Sequence, residues 1–343
     1  MTATAVASRP AVAVRGVAYD WVAVVASAWL LGGLFWDGWA HGYSLPDSFF
    51  TIWHAAFYSG FLASALVILG PAIIRAPAIG LRASVPAGYG WAAIGVLVFG
   101  FGGVFDLVWH TAFGIESNLD ALFSPSHLVL GTGMALIVSG PLRAAWARRE
   151  SGVPAVISIT MLLSLFTFFS LFAGPYSTVL GANPRPGGGT ENVIARSLLG
   201  MYLFSGLVVG CALVALRRGT LPVGAMTLLV GLNGIAMILM RGHASLQVQV
   251  IFSVVAIGAG IVGDLLLWRL RPSSDRLAAL RAFAFAVPVA YFTLYFTAVL
   301  ALAGTWWTVH FLTGSIVLSG VVGLLTSYVF AGSTAELPAV PRP

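Results

Sequence analysis

The stretch GWAAIGVLVFGFGGVFDLVWHTAF, residues 90–113, decides the architecture. Residues 90–105 carry no charge, and the whole run is long enough to cross a hydrocarbon core about 30 Å thick as a helix. It then ends in polar chemistry. Asp106 and His110 are four apart, so on a helix they share one face. After a loop the chain reads Phe123-Ser124-Pro125-Ser126-His127 and opens another apolar run, so His127 can close a site across the hairpin. A carboxylate and two imidazoles at membrane helix ends are costly without partners. Asp106, His110 and His127 together suit a first-row transition metal.

The same figure occurs earlier in the chain. Asp37 and His41 are four apart at the end of one apolar run, and His54 lies in the first turns of the next. Gly32-Gly33-Leu34-Phe35 precedes the first Asp and Gly102-Gly103-Val104-Phe105 the second. The following helices close on Leu69-Gly70-Pro71 and Ser139-Gly140-Pro141. This is the pattern of a tandemly duplicated helix hairpin. The expected organisation is a single transmembrane domain, 1–343, with metal-binding-type hairpins over 19–71 and 90–142 and a six-helix bundle over 153–330.

Composition agrees with that architecture. Of 343 residues, 59% are hydrophobic and only 8% charged, and the mean hydropathy is +0.96. That exposes too little charge for a soluble domain of this size. An all-α, polytopic membrane protein is expected, with spans near 19–40, 49–70, 90–113, 123–142, 153–174, 195–216, 221–240, 245–268, 279–303 and 305–330, and no soluble domain. The formal charge of +6 comes from seventeen basic residues, all Arg and scattered among short loops, which excludes a nucleic-acid face. Cys211 is the single cysteine, so no intramolecular disulfide or thiolate cluster can form. Arg9 and Arg15 before an apolar stretch resemble a signal peptide, with Ala26-Ser27-Ala28 as its cleavage site. Cleavage would strip the Asp37 motif of its helix, so the run is read as a retained first span.

Arginine excess marks the cytoplasmic side. Arg9, Arg15, Arg75, Arg82, Arg143, Arg148, Arg149, Arg217, Arg218, Arg269, Arg271, Arg276, Arg281 and Arg342 fall on one side, against Arg185, Arg196 and Arg241 on the other. Both termini are therefore expected to be cytoplasmic in a multi-pass protein of the plasma (inner) membrane. All six histidines, including His243 and His310, then fall toward the extracytoplasmic side, as the metal sites do. Trp36, Trp39, Trp53, Trp306 and Trp307 read as interfacial belt residues. The irregular outer loop 183–190 reads as a flexible connector or, alternatively, a lid or docking loop. Breaks on the inner side are expected over 72–90 and 269–276.

At Asp106-Leu107-Val108-Trp109-His110 and Phe123-Ser124-Pro125-Ser126-His127 the chain resembles a membrane-embedded component of the copper membrane monooxygenases, the particulate methane and ammonia monooxygenase family. That component has an Asp-x-x-Trp-His end to one membrane helix and a Pro-Ser-His start to the next. The likeness runs chiefly over residues 91–141. It implies that Asp106, His110 and His127 match the family's copper ligands, that oxidation of a small apolar substrate by O2 is the associated chemistry, and that partner subunits or an outer soluble copper protein complete the assembly. The gap from His110 to His127 is longer than the family's, and the first hairpin has Ala40 in place of the Trp. A second family ligand set opens with Asn. Asn233 matches its start, but Met237 stands where the His would be; Asn233, Met237, Met240 and His243 are the residues a third site would use.

The residues alone leave alternatives open. Asp106, His110 and His127 could form a helix-capping hydrogen-bond network, with Ser124 or Ser126 as the cap. Two imidazoles and a carboxylate accept copper, zinc or iron, and the resemblance selects copper. The associated functions are a membrane oxidase component that takes apolar substrate from membrane lipid, a copper capture, storage or delivery protein, or a b-type haem electron carrier.

Overall fold

The computed structural model describes residues 16–43, 45, 48, 50–114, 116, 118–176, 179–185, 187, 190–217, 221–241 and 244–332. The helices are α1 (Val17–Gly42), α2 (Ile52–Ile79), α3 (Leu81–Ser84), α4 (Gly90–Phe113), α5 (Asn118–Phe123), α6 (Pro125–Val138), α7 (Gly140–Arg148), α8 (Val153–Phe169) and α9 (Thr190–Leu216). A π-helical segment (Thr227–Leu232) leads into α10 (Asn233–Met240), and α11 (Leu246–Leu270), α12 (Leu277–Leu302) and α13 (Val309–Gly332) follow. Among the described residues the one extended pairing is an isolated bridge between Ala182 and Thr305. Eight helices are long and apolar enough to cross a membrane, with Pro125–Arg148 counting as one span. The chain is an all-α, multi-pass membrane protein.

All ten expected apolar segments are helical, but two are short. The fifth stops at Phe169 instead of 174, and the seventh is the apolar helix Thr227–Met240, which begins in the π-helical segment. The inner break expected over 72–90 is also corrected, because α2 continues to Ile79 through Pro71 and Pro77. Proline has no N–H for the carbonyl four residues back. At Pro71 that carbonyl belongs to Val67, and the Tyr19 hydroxyl donates to it at 2.7 Å. A hydroxyl from α1 thus replaces the missing helical bond. In α12 the carbonyl that Pro288 leaves free, Ala284 O, faces Gly323 of α13 so closely that a Cβ at 323 would collide with it.

The chain divides into two compact units, Met1–Leu34 with Ser48–Glu150, and Phe35–Asp47 with Ser151–Pro343. In the first, α4 packs closely along α6. A Cβ at Gly133 would come within 2.6 Å of the Phe99 backbone nitrogen, and one at Gly95 within 2.6 Å of Leu136 Cβ. Small residues of this kind let membrane helices approach backbone to backbone. Phe61 stacks on Phe99 with centroids 4.5 Å apart, and Phe57 meets the same ring edge-on.

In the second unit α12 packs against its chain neighbours α11 and α13, and α9 packs against α13 and α12 from farther along the chain. Asp264 of α11 accepts from Met226 N (2.9 Å), Thr227 N (3.0 Å) and Thr227 Oγ1 (2.6 Å), satisfying the free N–H groups that open the π-helical segment. The Tyr291 hydroxyl donates to Tyr176 at 2.6 Å, and Tyr295 donates to Pro175 O at 2.9 Å. The start of the outer loop is tied down as well. Asn183 N donates to Gly304 O, Thr305 Oγ1 to Gly181 O, and the Arg185 guanidinium lies 5.6 Å over the Trp306 ring. Pro186, Gly188 and Gly189 of that loop lie outside the described residues.

The first unit also contains a buried ionic lock. Asp20, 1% exposed, accepts from the Tyr89 hydroxyl at 2.8 Å and pairs with Arg148, whose Nε donates to Glu150 at 2.8 Å. Burial, reinforced by the Asp20 carboxylate, pushes the Tyr89 hydroxyl well above its ordinary value, so it remains a donor. Asp20→Ala strands a guanidinium and a phenol together, and it should cost about 3–5 kcal/mol. The thermal unfolding midpoint in detergent checks this. A midpoint equal to that of the unaltered chain contradicts the lock.

Candidate metal centre

The site grows out of the junction between α4 and α6. Ser124 is the N-cap of α6, accepting from His127 N at 3.4 Å, and Pro125 follows at the first helical position, where its missing N–H costs nothing. That start places Ser126 and His127 on the first turn of α6. Asp106 and His110 lie on the last two turns of α4, and the close α4–α6 approach brings the two ends together. Of the two candidate caps, Ser124 therefore takes that role, while Ser126 turns inward and donates to Asp106 Oδ1 at 2.8 Å.

Three side chains converge on one oxygen. Asp106 Oδ1 lies 3.3 Å from His110 Nε2 and 3.1 Å from His127 Nε2, and the two imidazole centroids are 5.4 Å apart. The Asp106 side chain is 8% exposed, those of His110 and His127 15% and 25%. Ligands held about 2.0–2.1 Å from one ion in a tetrahedral arrangement are separated by about 3.3–3.4 Å. Asp106 with His110 meets that spacing, Asp106 with His127 is a little closer, and the three ligand atoms all lie within 4.8 Å of one another.

The far side of each ring determines what the near side can be. His127 Nδ1 contacts the Ala121 carbonyl, contributed by α5. His110 Nδ1 is 3.2 Å from the Gly114 carbonyl and 3.1 Å from Glu116 Oε2. Those partners are acceptors, and a ring that gives its proton to one of them turns a bare Nε2 lone pair toward the carboxylate oxygen, 3.1–3.3 Å away. That arrangement calls for a cation at its centre; a second proton on a ring would instead make it an imidazolium paired with the buried carboxylate. The arrangement in which a histidine gives its outer N–H to a carbonyl or carboxylate is how proteins orient metal-binding imidazoles.

His54 repeats the device. Its Nδ1 lies 2.9 Å from the Ser48 carbonyl, six residues back, as that of His127 lies against the carbonyl of Ala121, also six back. Thr51 is the N-cap of α2 three residues before His54, as Ser124 is of α6 three before His127. The two opening histidines thus share their helix position, and each sets Nδ1 against a backbone carbonyl, with Thr51 Oγ1 a second partner of that nitrogen in His54 at 3.1 Å. His54 belongs to the first unit. In the second, Asp37 and His41 approach at 3.6 Å near the end of α1.

Other expected residues have different surroundings. Asn233 is fully buried and accepts from Thr167 Oγ1 at 2.7 Å, and Met237 and Met240 are buried. His243 lies outside the described residues, and His310 is exposed in the first turn of α13. Sequence reasoning missed the carbonyl of Ala121 and the carboxylate of Glu116. The first has no side-chain signal at all. The second could have been found as the acid six residues after His110. No family model, curated protein or solved structure matches the chain. The fold and site define a multi-pass helical membrane protein with an Asp/His/His cluster able to hold a metal ion.

Ser126→Ala removes the hydroxyl that fixes the carboxylate and should destabilise the metal-free protein by about 1–3 kcal/mol. Ser124→Ala, which removes the cap and its 3.3 Å contact with Ser126 Oγ, should cost about 0.5–2 kcal/mol. Thermal unfolding of the two variants checks this, and no loss in either contradicts the assigned roles.

Proposed function

We propose that this chain is a copper-holding component of a membrane oxidase of the copper membrane monooxygenase type, with one ion at Asp106, His110 and His127. One observation carries the metal reading: His110 Nε2 and His127 Nε2 both face Asp106 Oδ1, at 3.3 and 3.1 Å, while their outer nitrogens are held by acceptors. The choice of copper rests on the Asp-x-x-Trp-His and Pro-Ser-His pattern, since the donor set alone also accepts zinc or iron. The Asp106 carboxylate occupies the space between the imidazoles that a haem plane would need, which favours a bare ion over haem.

A copper ion held there would supply one-electron chemistry with O2. Asp106 would offset the charge of the ion, Ser126 holds the carboxylate rotamer, and His110 and His127 would complete a three-ligand set. Leu107, Val108 and Phe113 beside the site expose apolar surface, which offers a small apolar substrate a route from membrane lipid. The reading puts the chain in the plasma membrane, with the site on its extracytoplasmic side and both termini in the cytoplasm. Further oxidase subunits complete the assembly. A second reading, copper capture and delivery, is favoured by the exposure of the two histidines, which would let an ion exchange with an outer soluble carrier.

After copper-replete expression, the detergent-purified chain should carry about one copper at this site, and His110→Ala or His127→Ala should lose it without lowering the metal-free unfolding midpoint. Asp106→Asn should weaken binding while the metal-free midpoint holds or rises, because the buried charge is gone. Elemental analysis beside thermal unfolding checks both. A His110→Ala chain that keeps its copper and unfolds would show a structural hydrogen-bond network instead. O2 consumption with a hydrocarbon or ammonia, measured with partner subunits present, separates the oxidase from the delivery reading.

A further inference from the structure

We infer that Glu116 and Trp109 form an outer arm of the metal centre, in which Glu116 is the positioning residue for His110. The inference rests on the metal reading above and adds residues that the ligand pattern does not contain. Glu116 lies in the connection between α4 and α5, its side chain 14% exposed. Its Oε1 accepts from the Trp109 indole Nε1, and its Oε2 stands 3.1 Å from His110 Nδ1. That second oxygen is buried and, among the described residues, accepts no hydrogen bond of full geometry.

A carboxylate oxygen kept out of water without a full partner is expensive. The placement makes sense if the imidazole N–H beside it is drawn in when His110 Nε2 takes up an ion. Metal binding makes the opposite ring N–H a stronger donor, and the Gly114 carbonyl, 3.2 Å away on the same nitrogen, is the weaker of its two acceptors. Gly114 turns the chain with φ of 84°, bringing Glu116 back over the end of α4. Trp109 is fixed in turn by ring contacts with Phe105 and Phe113, at centroid distances of 5.7 and 4.6 Å, so the indole that anchors Glu116 is itself held.

Charge points the same way. Asp106 and Glu116 bring two carboxylates to two imidazoles, and among the described residues neither is paired with an arginine. A divalent ion balances that set. In the first hairpin the sequence places Asp47 six residues after His41, as Glu116 stands six after His110. The spacing of the arm is thus repeated together with the ligand spacing.

The test uses copper alone as the probe on the full detergent-solubilised chain. Affinity is measured by chelator competition, and pulsed electron paramagnetic resonance of the Cu(II) form reads the remote nitrogen of each bound imidazole, which senses its own hydrogen bond. Glu116→Gln preserves shape and the acceptor for Trp109 but removes the charge. It should still bind copper, with affinity lowered about ten- to a hundred-fold, and the remote-nitrogen signal of one imidazole should shift while the other stays. Trp109→Phe leaves the carboxylate and removes its anchor, so it should move the same signal by less. Wild-type affinity with unshifted remote nitrogens in Glu116→Gln overturns the arm and leaves the metal site standing. Failure of the unaltered chain to bind copper overturns the metal reading on which the arm depends.

Discussion

The buried Asp106 carboxylate is the constraint on which the rest of the site depends. A charged oxygen near the end of a membrane helix is stable only if something answers it, and the chain supplies Ser126, His110 and His127 to the same Oδ1. Two of those three come from another helix, so the carboxylate dictates how closely α4 and α6 must run. Gly95 and Gly133 meet that demand, each at a point where a methyl group would strike the neighbouring helix. The Asp/His/His cluster and the close α4–α6 packing of the first unit therefore go together.

Two other acids in membrane helices perform different work. Asp20 binds Tyr89 and Arg148, and Asp264 closes the free N–H groups at the start of the π-helical segment. Both are engaged in holding the helices together.

Much of this was legible in the sequence because membranes simplify the code. A bilayer forces backbone groups to pair within each segment, so apolar runs such as 90–113 read as helices with little ambiguity, and four-residue spacing put Asp106 and His110 on one face. What escaped notice depends on contacts between distant segments. Nothing local tells that α2 survives Pro71, since the bond that rescues it comes from Tyr19. Hydropathy could not show that the apolar helix Thr227–Met240 would open in a π-helical segment, because that depends on Asp264, 37 residues further on from Thr227. The Nδ1 atoms of His54 and His127 meet backbone carbonyls, which every residue has and no pattern distinguishes. The ligand types were readable; the atoms that orient them were not.

The central claim is that His110 Nε2, His127 Nε2 and Asp106 Oδ1 surround one ion. X-ray absorption at the copper edge of the copper-loaded chain addresses the ligand atoms themselves. The account predicts two imidazole nitrogens, with their characteristic outer-shell scattering, and one oxygen at about 2.0 Å, and this copper signal is lost in the His127→Ala chain. Sulfur scattering at about 2.3 Å, from Met237, Met240 or Cys211, or an imidazole count that His127→Ala leaves unchanged, would contradict it.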